Sequence, residues 1–179
     1  WSLTSNPPVH FVRSAGTLPL PRPEPGGPIG ELFDFINVPD DESRALVLAW
    51  LVSTLCPSIR FAFLAIHGEQ GSAKSTATRI LTQLVDPHSA GVRTPPKDPQ
   101  SAMVMARNAW ILSFDNLSGI PSWLSDLLCC LSSGASFSVR ALYTDGDESI
   151  LSAQRPVNHH SASWDTGTRA WAHGEPGRP

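Results

Sequence analysis

The sequence predicts an α/β fold with a parallel sheet between helical layers. Three observations carry this. Two short, uniformly apolar runs, Phe61 to Ile66 and Ala109 to Phe114, suit strands covered on both faces. Helical patterns stand before, between and after them, the layout of alternating strands and helices. A glycine-rich turn joins the first run directly to a helix. At 179 residues the chain has room for one ordinary domain, and 41% hydrophobic with 16% charged residues is a globular balance.

The elements follow in order. Residues 1–30 form a lead-in rich in proline, from Pro7 and Pro8 to Pro28, which neither holds a helix nor pairs well in a sheet. Val9 to Val12 is the one stretch there that fits an edge strand. Residues 31–57 are expected to form a packed helical segment. Asp40 or Asp41 caps it, and Ala45 to Leu55 is apolar nearly all round, the mark of a buried helix, until Pro57 stops it. The core is expected over residues 58–157. After the first strand a helix runs from Lys74 to about Val85, ended by Asp86-Pro87, and the proline-containing loop to Pro99 lies on the surface. Gln100 to Arg107 reads as a short helix ahead of the second strand. Leu124, Leu127, Leu128 and Leu131 recur at helical spacing from Ser122 until Gly134. Phe137 to Tyr143 and Ser149 to Ala153 flank Asp145-Gly146-Asp147 as a hairpin.

Residues 158–179 contain no Leu, Ile, Val, Met or Phe. They are expected to supply no core element and to be a disordered tail. His159, His160 and His173 there lack the Cys or acid spacing of a metal site. Cys56, Cys129 and Cys130 are odd in number, lack C-x-x-C spacing and read as small buried hydrophobes. The chain opens Trp-Ser-Leu-Thr, without an initiator Met or a basic-then-apolar leader, and its longest apolar run, Ala45 to Val52, falls far short of the ~20 residues of a membrane span. A soluble, cytoplasmic piece of a longer protein is expected, without membrane partners. A net charge of -3 and only two lysines, Lys74 and Lys97, supply no global field for nucleic acid.

One of those lysines sits in the strongest motif. Gly68, Glu69, Gln70, Gly71, Ser72, Ala73, Lys74, Ser75 and Thr76 fit G-x-x-x-x-G-K-[ST], with Ala73 where glycine is usual. Glycines let successive backbone N–H groups point at phosphate oxygens, and the helix start adds partial positive charge. Lys74 would reach the β and γ phosphates and the Ser75 hydroxyl would bind Mg²⁺. Ala73 is tolerated if the backbone there is already helical. The second motif is Trp110-Ile-Leu-Ser-Phe-Asp115-Asn116, a buried strand delivering an acid to the metal side of a nucleotide site. Asn116 cannot act as a base where many ATPases place an acid, so Lys74, Asp115 and Asn116 are candidate catalytic residues for slow turnover at most. Arg140 is a candidate contact to nucleotide or DNA, and equally a solvated strand residue.

Together with Pro121 to Cys129 and Arg140 to Glu148, these motifs resemble an uncharacterised family of bacterial and prophage ATP-binding proteins. That family is similar to the helicase halves of phage primase-helicases, of superfamily 3 and AAA+-like. The resemblance covers about residues 7–157. It implies a P-loop NTPase core that binds ATP and Mg²⁺, forms a ring or other homo-oligomer, and acts on DNA. It also implies Lys74, Ser75 and Thr76 as nucleotide contacts and Asp115 as the magnesium-side acid. Family members continue past Val157 with an apolar strand ending in a sensor asparagine. This chain reads Asn158-His-His-Ser instead, so the core is expected to be incomplete at its C-terminus, through truncation or a frame shift. Three readings remain open: a working ATPase, a nucleotide-binding module without turnover, and an inactive fragment.

Overall fold

A computed structural model describes residues 7, 8, 10, 13–117, 119–140 and 148–161. It is a mixed α/β structure built on a small sheet. A 3-10 helix, Ile29–Asp34, precedes α1 (Asp41–Thr54), β1 (Phe63–His67), α2 (Lys74–Val85), α3 (Pro99–Asn108), β2 (Leu112–Phe114), α4 (Ser122–Ser133), β3 (Ser136–Arg140), β4 (Glu148–Ser152) and β5 (Val157–Ser161). The sheet has the order β1-β5-β2, all parallel, with Leu64 and Ser113 both in register with Asn158. β3 and β4 pair antiparallel as a separate hairpin, Arg140 opposite Glu148. The Asp145-Gly146-Asp147 turn and the stretch from Val9 to Val12, apart from His10, lie outside the described residues.

Local chemistry explains the ends of the helices. Asp40 caps α1 and Asp98 caps α3, each accepting a 2.8 Å hydrogen bond from the backbone N–H three residues on. Those N–H groups, with the serine hydroxyls beside them, hold both carboxyls below the usual carboxylate range. Gly134 ends α4 in the left-handed conformation that an αL cap requires. Helices cover both faces of the sheet. On one, Ala106 of α3 and Leu124, Leu127 and Leu131 of α4 pack on Leu112, Phe114 and Val157. On the other, Trp50 and Leu51 of α1 and Leu81 of α2 form a second core with Leu64 and Ile66.

The structure corrects several expectations. Residues 158–161 do supply a core strand. β5 lies between β1 and β2, and every residue of it is buried. A central strand gains its place from backbone hydrogen bonds to two neighbours, which apolar composition does not report. Residues 162–179 lie outside the described residues. β1 is conversely an edge strand with Phe63 38% exposed, because β5 takes its inner side only. α1 buries one face, Val47, Trp50 and Leu51, and leaves Leu46 and Val52 exposed. β2 starts three residues late because Asp86 accepts the N–H groups of Trp110 and Ile111 that a longer strand would pair. The loop before α3 is not wholly peripheral either, since Arg93 pairs with Phe114 along β2. Cys129 is exposed, and Cys56 and Cys130 are half-buried thiols.

Candidate functional site

Parallel pairing brings the C-terminal ends of β1, β5 and β2 to one edge of the sheet, where open α/β sheets bind ligands. From β1 the chain turns through Gly68 into the loop ahead of α2. A Cβ on Gly68 would stand 2.7 Å from Ser72 Oγ, so any larger residue would turn the Ser72 hydroxyl aside. Gly71 has φ +85. Ala73 is left-handed, φ 61 and ψ 22, rather than helical as expected. For a residue with a Cβ this costs roughly 1 kcal/mol, and it explains why glycine is usual there. No side chain caps α2, leaving its first-turn N–H groups open to an anion. Lys74 Nζ folds back on the loop, donating to Gly68 O at 2.6 Å and to Glu69 O.

From β2 the chain delivers Asp115 and Asn116. Asp115 N–H donates to Arg93 O at 2.7 Å, its side chain is half exposed, and Asn116 has φ 49, which asparagine tolerates better than most residues. The two motifs meet in one open cavity of about 590 Å³, lined by Gln70, Gly71, Ser72, Ala73, Lys74, Ser75, Thr76, Asp115, Asn116 and His160. Gly68 and Glu69 shape the loop and do not line the cavity. Arg140 lies in the hairpin and its side chain is outside the described residues.

The tenth lining residue is the one sequence reasoning set aside. His160 comes from β5, its side chain is 6% exposed, and its Nε2 stands 3.0 Å from Asp115 Oδ1. Nε2 makes no hydrogen bond, nor do the buried Asn158 Oδ1 and His159 Nδ1. Other polar atoms of the strand are tied in. Asn158 Nδ2 donates to Thr82 Oγ1 at 3.1 Å, and Thr82 also meets the Ser113 hydroxyl, linking α2 to β2 through β5. His67 Nδ1 lies 3.0 Å from Ser161 Oγ. Burial, with His67 and His160 nearby, pushes the His159 imidazole down to about 4, and burial lowers His67 as well.

The chain matches the family of actinomycete integrative conjugative element replication proteins over residues 29–167, well over half its length. It belongs to that family. This makes it a replication protein of a mobile element, and the match runs ten residues past Val157, so the segment through β5 is family sequence and not a foreign tail. Neither a curated protein nor a solved structure matches the chain. Among the described residues of this family member, no helix is long and apolar enough to cross a membrane. No cluster of three or more His, Cys, Asp or Glu side chains there could hold a metal by itself.

Proposed function

We propose that the chain binds ATP with a divalent cation at the edge where β1, β5 and β2 end, as the nucleotide-binding part of a mobile-element replication machine related to superfamily 3 helicases. One observation carries the reading. The uncapped start of α2, Lys74, Ser75 and Asp115 line a single cavity at the C-terminal ends of parallel strands. An anion there meets open backbone N–H groups, the helix dipole and a lysine that needs only to leave two carbonyls. Ser75 and Asp115 fit a Mg²⁺ carried in on the phosphates, a hard cation that takes few protein oxygens and completes its shell with phosphate and water. When bound, the ion neutralises phosphate charge.

Asn116 favours binding or slow turnover over fast hydrolysis, because a neutral amide orients water without accepting its proton. DNA is the proposed partner of a homo-oligomer rather than of this chain alone, since the net charge is -3. The test is phosphate release with and without DNA, in the parent and in Lys74→Ala. Release that needs Lys74 and rises with DNA supports a motor. Saturable nucleotide binding without release supports a nucleotide-gated assembly module.

A further inference from the structure

An exposed acid and a buried base meet at the edge of the cavity. Asp115 carries the carboxylate offered to the cation, and its side chain is 53% exposed. A carboxylate so exposed at a strand end can turn among several rotamers, and a ligating group that must first be ordered binds more weakly. His160 Nε2 stands 3.0 Å from its Oδ1, on a side chain that is 6% exposed. Among the described residues no lysine or arginine pairs with Asp115, so the imidazole is its ion-pair partner. The backbone fixes both members. β5 is buried along its whole length between β1 and β2. His159 is in register with Phe114, the residue before Asp115, and the N–H of Leu117, two residues after it, donates to His160 O at 3.2 Å. On the far side the N–H of Asp115 donates to Arg93 O at 2.7 Å.

We propose that His160 is the positioning residue for Asp115: the buried imidazole holds Oδ1 and so keeps Oδ2 aimed at the cation that enters with the nucleotide. The inference rests on the nucleotide reading above and says how the metal-side acid of that same site is aimed. His160 Nε2 is shut off from solvent, so it acts on the ion only through the carboxylate. Nε2 makes no in-line hydrogen bond, and the pair is joined by the attraction of the imidazole N–H edge for the carboxylate. That contact engages one oxygen and leaves the other to the cation. A carboxylate held in this way loses little freedom when the ion arrives, as with other outer partners of metal-binding side chains. A rigid ring suits the task, since the four-carbon stem of a lysine would itself have to be ordered.

The test uses the full chain and the β,γ-methylene analogue of ATP, and reads the Mg²⁺ concentration that half-saturates analogue binding. His160→Phe keeps a ring, removes both nitrogens and should raise that concentration about tenfold. In an Asp115→Ala background the same substitution should change it by less than about twofold, because the carboxylate it acts on is gone. An equal rise in both backgrounds, or no rise in either, overturns the assignment. So does a fall in the first, which would make the imidazole a competitor of the cation for Asp115. Nuclear magnetic resonance of the parent with ¹⁵N-labelled histidine decides the matter if His160→Phe does not fold. His160 should carry a hydrogen on Nε2, and the resonance of that nitrogen should move in Asp115→Ala. A hydrogen on Nδ1 alone, or a resonance indifferent to Asp115→Ala, overturns the assignment as well. Each of these results leaves the nucleotide reading standing, whereas folded parent protein that binds no analogue at any Mg²⁺ concentration overturns both.

Discussion

The loop ahead of α2 and strand β5 both contribute to the lining of one cavity and differ in how their sequences encode them. The loop is a local device. Its glycines, lysine and serine act within nine consecutive residues, and Gly68, with Ser72 Oγ 2.7 Å from where a Cβ would be, needs nothing distant to explain it. β5 is the reverse. Val157 is its one apolar residue, and the other four are polar and buried. Its place depends on Thr82 from α2 and on backbone pairing with β1 and β2. Short-range chemistry can be read from a sequence, whereas a strand held by partners 40 to 100 residues away in the chain is invisible to composition.

The same division runs through the rest of the molecule. α2 spans Lys74–Val85 as its motif and Asp86-Pro87 stop signal imply, and the leucine spacing of α4 puts Leu124, Leu127, Leu128 and Leu131 in the core. Asp115 stands at a strand end beside the loop, as expected. His160 was lost because its signal is positional, a side chain at the end of a strand the sequence does not announce. A uniformly apolar run marked β1 as covered on both faces, whereas Phe63 is exposed, and the polar strand is the one between two others.

Four perturbations sharpen this contrast, in falling order of effect. The first is pH. His159 is held neutral by burial down to about 4, while the unfolded chain takes up the proton near 6.5. Its contribution is therefore full above pH 6.5 and is lost as pH falls from 6.5 towards 4, on the order of 3 kcal/mol in all. Denaturant unfolding at stepped pH should show this slope, reduced in His159→Gln. Equal slopes in both would place His159 outside the core. Second, Asn158→Ala, at a fully buried site, removes the hydrogen bond to Thr82 and should cost about 2 kcal/mol in urea unfolding. No loss would mean that the Asn158–Thr82 hydrogen bond does not help to hold β5 in place.

Third, Gly68→Ala should leave the melting temperature within a few degrees and weaken nucleotide binding about threefold, because the Ser72 hydroxyl must turn away from the added methyl group. Titration of the variant checks it, and unchanged affinity would detach the loop shape from binding. Fourth, Ala73→Gly relieves a left-handed alanine and should stabilise the fold by about 0.5 kcal/mol, the strain relief exceeding the added freedom of the unfolded chain. A loss of stability would contradict the conformation at Ala73.

The account stands or falls on whether the start of α2 and Asp115 form a working nucleotide site. The direct measurement is calorimetric titration of the full chain with the β,γ-methylene analogue of ATP and Mg²⁺ or Mn²⁺, beside Lys74→Ala. The account predicts saturable micromolar binding in the parent, lost in the variant while its melting curve is unchanged. A folded parent that binds no analogue, or a variant that binds it equally well, would contradict it.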